Sequence, residues 1–169
     1  AAWQQAWLRK GALAPAQVNG DFAVALRDER GRAFMAVDRF ATRTLCYRVD
    51  GGQLRFAERA DALADGAADL DPQALFDYLF FHAIPSPRTV FRGIHRLPPG
   101  HCAMFEDGQL TVQAYWTPNF DEQHGRPFAE LRDEFRVLIE DGVRTQMAGA
   151  DPARVGCFLS GGTDSSTVA

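Results

Sequence analysis

Hydrophobic residues alternate with small or polar ones in the first third of the chain, as they do in the strands of a half-buried sheet. Tight turns at 28–31 and 50–52 separate these stretches, and the second turn is typical of a hairpin. Strands are expected at 22–26, 34–37, 45–49 and 54–56, and a further hairpin at 102–105 and 110–116. Tight turns between successive strands predict an antiparallel sheet.

Apolar residues at three- and four-residue steps predict helices in other parts of the chain. A helix over residues 1–10 is expected to end at Gly11, and Asp71 is expected to be the N-cap of a second helix. We interpret the apolar and aromatic face of this second helix as core packing; its residues are Leu75, Phe76, Tyr78, Leu79, Phe80 and Phe81. A third helix is predicted over 128–147, with its apolar stripe packed on a sheet.

The segment at 155–166 combines an apolar run, a glycine turn and a polar helix start. Residues 155–159 are expected to form a strand buried on both faces of a parallel sheet. Gly161 and Gly162 permit a sharp turn and let a ligand approach the backbone closely. The next helix begins among hydroxyl groups and a carboxylate, where free N–H groups and the helix dipole favour phosphate. Since no lysine follows the glycines, the loop is not GxxxxGK[ST], and it does not match GxGxxG either.

The order Ser-Gly-Gly-x-Asp-Ser-Ser resembles the pyrophosphate loop of the ATP pyrophosphatase superfamily, whose members cleave ATP to AMP and pyrophosphate. The resemblance implies that ATP and its pyrophosphate are bound by Leu159, Ser160, Gly161, Gly162, Asp164, Ser165 and Ser166. Asp164 is the expected ligand of Mg²⁺, since this ion prefers one or two carboxylates together with phosphate oxygens. The alternative reading is a serine-capped helix after a buried strand.

A second resemblance extends over the preceding residues. Residues 19–28 resemble the NG-x-FAFALWD strand of class II glutamine amidotransferase domains, and 37–47 are similar to their RDRFGIKPLYY segment. Residues 56–63 resemble FASEIKAL, while 97–101 followed by 115–116 match LPPGH…YW. With the phosphate loop after them, the series resembles glutamine-hydrolysing asparagine synthetase and its relatives.

This resemblance implies an α+β region followed by an α/β region. Residues 1–116 are expected to be the C-terminal part of a class II glutamine amidotransferase domain, the second half of an Ntn-hydrolase αββα sandwich. Residues 117–127 are a linker, rich in turn-forming residues. Residues 128–169 begin an ATP pyrophosphatase domain with its first helix, strand and phosphate loop. We expect an internal fragment of a longer protein, inactive by itself.

The family chemistry has two parts. A terminal cysteine hydrolyses glutamine with its own α-amine as base, and the released ammonia reacts with a carboxylate that MgATP has adenylated. The resemblance places that cysteine before Ala1, and it assigns no catalytic residue to this chain. Cys46, Cys102 and Cys157 are internal and lack a free α-amine. The expected substrates are therefore glutamine, ATP, and aspartate or another carboxylic acid.

Several positions depart from the family pattern and leave the acceptor acid open. Ala41, Thr44, Arg59 and Thr163 replace residues that the family usually carries. One alternative is a related amidotransferase or β-lactam synthetase-like enzyme, and another is a non-catalytic ATP-binding relative. A tRNA-modifying thiolase or lysidine-type enzyme shares the loop, but residues 19–116 speak against it because such enzymes lack an amidotransferase half.

Composition narrows the class of protein further. The 169 residues are 46% hydrophobic with a net charge of −4, and no block of lysine and arginine indicates a nucleic-acid surface. No apolar run reaches membrane-spanning length, and the odd number of cysteines favours reduced thiols in the cytoplasm. A homodimer is compatible with this composition. The Asp38-Arg39 pair is interpreted as a turn or structural ion pair in preference to a catalytic pair. The histidines (His82, His95, His101 and His124) show no metal-ligand spacing.

Overall fold

The computed structural model describes residues 2–66, 69–122 and 125–169, which form both helices and strands. The chain forms two compact units, Ala1–Asn119 and Phe120–Ala169, and the division falls within 117–127. The elements of the first unit are α1 (Ala2–Lys10), β1 (Ala23–Arg27), β2 (Ala33–Val37), β3 (Cys46–Asp50), β4 (Gln53–Ala57), α2 (Pro72–Phe81), β5 (His95–Arg96), β6 (His101–Glu106) and β7 (Gln109–Ala114). Short 3₁₀ helices span Gly11–Gln17 and Ala60–Leu63.

The strands of the first unit form two antiparallel sheets, in the orders β1-β2-β6-β7 and β4-β3-β5. Both predicted hairpins, β3–β4 and β6–β7, are confirmed. The prediction that the first four strands share one sheet is wrong. The chain turns out of the first sheet after Asp38, so that β2 pairs with β6 through Met35 and Ala103, whereas β3 pairs with β5.

Strand β2 is buried on both faces and lies between two apolar layers. Phe34 and Ala36 pack with Trp7 of α1 and with Cys102. Met35 and Val37 lie on the opposite face of β2 and point toward the second sheet. They pack in a cluster with Leu45, Tyr47, Leu97 and Ala103. Successive side chains of a strand point to opposite faces, so one strand contributes to both clusters. The first unit is thus layered as helix, sheet and sheet.

Helix α2 begins as its sequence predicts. The Asp71 carboxylate accepts a hydrogen bond from the backbone N–H of Gln73 (2.9 Å), and the helix ends at His82 in the left-handed conformation. Its predicted core packing is wrong, however. The buried residues of α2 are Ala74 and Asp77, while its apolar and aromatic side chains are exposed. Apolar spacing shows that a helix has an apolar face but not which face the rest of the fold covers.

The second unit contains α3 (Phe128–Met147), a 3₁₀ turn at Pro152–Arg154 and α4 (Thr163–Val168). Helix α3 has the predicted bounds but buries no residue, so its expected packing on a sheet is not found in the described residues. Its residues Ile139 and Val143 line a groove with Val168 of α4. No helix of the described residues is both long and apolar enough to cross a bilayer.

The predicted strand at 155–159 is wrong as well. These residues are outside any strand, and the Phe158 side chain is 97% exposed. A strand is held by hydrogen bonds to a neighbouring strand. The described residues of the second unit contain no strand, so this apolar run has no neighbouring strand with which to pair.

Candidate nucleotide-binding site

The loop at 159–162 turns the chain from an extended segment into helix α4. Gly161 has a φ of +81°, a conformation that residues with a side chain rarely adopt. Gly162 returns to extended geometry and is the N-cap of α4. The glycine pair therefore makes the sharp turn that the sequence predicts, and it leads directly into the first turn of the helix.

Two serines hold this loop closed. The backbone N–H of Ser160 donates to Oγ of Ser165 (3.2 Å), and the two hydroxyl oxygens lie 2.9 Å apart. The Ser165 hydroxyl also donates to the carbonyl oxygen of Gly162 (3.2 Å). Three of the predicted pyrophosphate-binding residues are thus brought together. Leu159 and Ser166 are exposed on either side, although the Ser166 N–H donates to the Gly162 carbonyl (3.1 Å).

The first turn of α4 has donors and an acceptor that the described residues do not use. The backbone N–H groups of Thr163, Asp164 and Ser165 have no acceptor among the described residues, as expected for the start of a helix. The Asp164 carboxylate is exposed and has no hydrogen-bond or ion-pair partner among them either. Thr163 is not among the predicted binding residues, because its side chain departs from the family pattern, although its position at the start of the helix places a free N–H there.

Asp38 occupies the opposite environment at the end of β2. Its buried carboxylate accepts hydrogen bonds from backbone N–H groups of Phe22, Phe40, Thr42 and Arg43 at 3.0–3.2 Å. Burial by itself would raise the pKa of Asp38, but these four N–H groups stabilise the charged form and hold the pKa below its usual value. The turn interpretation is confirmed.

The side chain next to Asp38 takes no part in this arrangement. Arg39 donates from Nη1 to Oδ1 of Asn19 (3.0 Å) instead of pairing with Asp38. The ion-pair alternative for Asp38-Arg39 is therefore not found. Asp38 holds the loop at 39–43 by its carboxylate and by its carbonyl oxygen, which accepts a hydrogen bond from the N–H of Ala41 (3.1 Å).

Comparison of the sequence with known proteins shows the family to which the chain belongs. Residues 4–116 match the family described as a glutamine amidotransferase domain, and residues 134–169 match the one described as asparagine synthase. A glutamine-hydrolysing asparagine synthetase of Bacillus subtilis is 30% identical over 159 residues, covering 92% of this chain. A putative asparagine synthetase of Mycobacterium bovis is 32% identical over 169 residues, covering 90% of it. The chain belongs to the family of glutamine amidotransferase domains.

The chain spans about a quarter of the length of the curated relatives it matches, 25% in both of these proteins. A protein of Penicillium rubens named amidase chyE is 29% identical over 159 residues, which cover 90% of this chain and 23% of that protein. The mixed structure of the first unit, with its antiparallel sheets, is consistent with a glutamine amidotransferase domain.

The cysteines and histidines form no second reactive site in the described residues. Burial raises the pKa of Cys46, and it raises the pKa of Cys102 to about 11, while Cys157 is exposed. No group of three or more possible metal ligands was found among the described residues. Among the histidines, the His95 ring lies tilted against the Tyr47 ring, and His101 contacts the Pro99 carbonyl oxygen through Nδ1 (2.7 Å). His124 lies outside the described residues.

Proposed function

We propose that the full-length protein forms an amide from a carboxylic acid, using ATP and ammonia released from glutamine. The observation that carries this proposal is the order of the two family matches in one chain, an amidotransferase region followed by an asparagine synthase region. We assign residues 1–116 to the second half of the Ntn-type amidotransferase domain and 128–169 to the start of the ATP pyrophosphatase-type domain, with 117–127 as the linker. The first acceptor to test is aspartate, because the B. subtilis relative is named an asparagine synthetase.

The loop is proposed to bind the pyrophosphate part of ATP. The ligands are Ser160, Gly161, Gly162, Ser165 and Ser166, with Leu159 beside the nucleotide. Free N–H groups at the start of α4 support this assignment, because such donors match phosphate oxygens. In the reaction, the substrate carboxylate attacks the α-phosphorus and pyrophosphate leaves. Ammonia then displaces AMP from the acyl-adenylate, and the acid becomes an amide.

Asp164 is the residue that we assign to Mg²⁺. Its side chain is exposed and has no partner among the described residues, which fits the carboxylate–phosphate coordination that this ion prefers. When bound, Mg²⁺ would offset negative charge on the phosphates. The part of Asp164 is to hold the ion beside the donors of the loop, at the point where the leaving group gains charge.

The glutaminase nucleophile is not assigned to this chain. A nucleophilic cysteine reacts as the thiolate, and burial raises the pKa of both Cys46 and Cys102. Cys157 lies in the second unit, outside the amidotransferase match. We therefore propose that the first unit supports a glutaminase site whose nucleophile is supplied by another part of the full-length protein.

The test is an assay of AMP, pyrophosphate and amide formation by the full-length protein. A panel of carboxylic acids that includes aspartate is supplied with MgATP and either glutamine or ammonium chloride. We expect one acid to give equal amounts of AMP and amide with either nitrogen source. If no acid stimulates AMP formation, the proposed function is wrong.

A further inference from the structure

The two asparagines of the chain precede residues of very different size. Asn19 is followed by Gly20, and Asn119 is followed by Phe120. An asparagine side chain loses its amide nitrogen when the backbone nitrogen of the next residue attacks the side-chain carbonyl carbon, Cγ. A following glycine favours this ring closure, because no Cβ obstructs the approach and the backbone is free to take the required angles. The sequence thus distinguishes Asn19 from Asn119 as a site of covalent change.

The structure leaves the reacting groups at Asn19 accessible. Asn19 and Gly20 are exposed, in the irregular segment between the 3₁₀ helix at Gly11–Gln17 and β1. Gly20 has a φ of +95°, and a Cβ there would meet nothing within 4 Å, so the surrounding space is open. The Gly20 N–H and the Nδ2 amide group of Asn19 donate to no acceptor among the described residues. Neither the attacking nitrogen nor the leaving nitrogen therefore has to give up a hydrogen bond to these residues.

The third group at this position is a guanidinium. Nη1 of Arg39 donates to Oδ1 of Asn19 (3.0 Å), and Arg39 has no carboxylate partner among the described residues. A guanidinium binds a carboxylate more strongly than it binds a neutral amide, because both partners of the hydrogen bond are then charged. A carboxylate at position 19 would therefore suit Arg39 better than the amide that it now contacts.

We propose that the Asn19-Gly20 pair is a site of spontaneous deamidation, which converts a neutral hydrogen-bond acceptor of Arg39 into an ion-pair partner. The Gly20 nitrogen forms a bond to Cγ of Asn19, and the bond between Cγ and Nδ2 breaks. The proton of the Gly20 nitrogen passes through solvent to the leaving nitrogen, which departs as ammonia. Water then opens the succinimide ring at either of its carbonyl carbons, and position 19 becomes aspartate or isoaspartate. Water is the one co-reactant of this sequence.

The two products have different effects on the start of β1. Aspartate leaves the main chain unchanged and adds one negative charge beside Arg39. Isoaspartate adds a methylene group to the main chain shortly before Phe22, whose N–H and carbonyl oxygen both bond to Asp38 (3.2 and 2.9 Å). The isoaspartate form should therefore weaken the contacts between Phe22 and Asp38, whereas the aspartate form should keep them.

The test follows both asparagines in the full-length protein during incubation at mildly alkaline pH. Peptide mass spectrometry measures the conversion of each amide to a carboxylate. We expect Asn19 to convert at least about tenfold faster than Asn119, because Gly20 presents no steric barrier to ring closure. Gly20→Ala should slow the change at position 19 several-fold and leave the rate at Asn119 unaltered. Equal rates at the two asparagines of the wild type would overturn the proposal.

A second measurement needs no variant. Hydroxylamine attacks a succinimide and cleaves the chain there, so it reports the cyclic intermediate itself. We expect cleavage between Asn19 and Gly20, with two fragments that meet at this bond. If Asn19 loses its amide but hydroxylamine gives no such fragments, the attack by the Gly20 nitrogen is wrong.

The pairing with Arg39 is tested by Asn19→Asp, alone and combined with Arg39→Leu. In urea unfolding of the full-length protein at neutral pH and low salt, Asn19→Asp should raise the folding equilibrium constant about threefold, as for an exposed ion pair. In the Arg39→Leu background, the same substitution should give no such gain. Equal effects of Asn19→Asp in both backgrounds would overturn the pairing. None of these outcomes depends on the proposed function.

Discussion

Asp38 lies in the turn after β2 and Asp164 lies at the start of helix α4, and their carboxylates have opposite surroundings. Asp38 is buried and accepts four backbone hydrogen bonds, while Asp164 is exposed and has no partner in the described part of the chain. A carboxylate whose lone pairs are satisfied by the protein stabilises the fold. One that the fold leaves unsatisfied is available to a ligand. The two residues thus separate a structural role from a proposed binding role within one chain.

The largest expected effect comes from replacing the unsatisfied carboxylate. Asp164→Asn in the full-length protein should lower ATP–pyrophosphate exchange by about 1,000-fold, because a lost metal ligand removes several kcal/mol of charge stabilisation. Glutamine hydrolysis and the melting temperature should not change. The control is Asp151→Asn, a nearby aspartate whose carboxylate caps the turn at Pro152–Arg154. Exchange that survives in Asp164→Asn would remove this residue from its proposed role.

Replacing the satisfied carboxylate should damage stability instead. Asp38→Asn should destabilise the first unit by about 3 kcal/mol, because the amide nitrogen cannot accept the hydrogen bonds that the second carboxylate oxygen receives. Urea unfolding can be followed by the fluorescence of Trp3, Trp7 and Trp116, the tryptophans of this chain. Asp28 also accepts backbone hydrogen bonds in a turn, from Arg30 and Arg32, but its bonds are more exposed. Asp28→Asn should cost less than about 1 kcal/mol, and equal losses would contradict our account of Asp38.

The backbone that supports Asp38 is also sensitive to a single methyl group. Gly100 has a φ of +68°, and its N–H donates to the Asp38 carbonyl oxygen (3.0 Å). A Cβ at this position would lie 2.5 Å from the Trp116 carbonyl oxygen. Gly100→Ala should therefore cost about 2–3 kcal/mol of unfolding free energy, from backbone strain and overlap together.

Gly93 provides the matched control for that substitution. Its φ is +71°, but a Cβ there would meet nothing within 4 Å. Gly93→Ala should cost only the strain, about 1 kcal/mol. If the two variants unfold at the same urea concentration, the close approach of Gly100 to Trp116 does not matter for stability.

The smallest expected effect is a difference in pH dependence. The folded-state pKa of Asp38 lies below its unfolded value, so the unfolded state binds more protons in the interval between them. Its stabilisation is complete above the unfolded pKa of about 3.9 and is lost as the pH falls through the lower, folded pKa. The stability difference between wild type and Asp38→Asn should therefore narrow on acidification from pH 5. A constant difference down to acid unfolding would show that the charge of Asp38 is not what holds the loop.

Features set by neighbouring residues were predictable from the sequence. The bounds of α3, the Asp71 N-cap and both hairpins depend on spacing within a few residues, and the structure agrees with them. The glycine turn at Gly161 is a local feature of the same kind. In the candidate site, the sequence therefore predicted the turn that brings Ser160 near Ser165.

Features set by distant residues were not predictable. Strand β2 pairs with β6, with Phe34 opposite Met104, although all three strands of the second sheet lie between them in the sequence. No local sequence pattern specifies this pairing. The orientation of α2 depends on the Asp77–Arg88 contact rather than on the apolar spacing of the helix. The strand expected at 155–159 failed for a related reason, since a strand requires a neighbour that its own sequence does not contain.

The unequal burial of the three cysteines has a practical consequence for spectroscopy. Cys46 and Cys102 are inside the first unit, whereas Cys157 is exposed three residues before Ser160. Within this chain, a thiol-reactive fluorophore would therefore attach at Cys157 in the native protein without any engineered residue. A dye at that position would lie next to the loop, and its emission would test the proposed nucleotide binding directly.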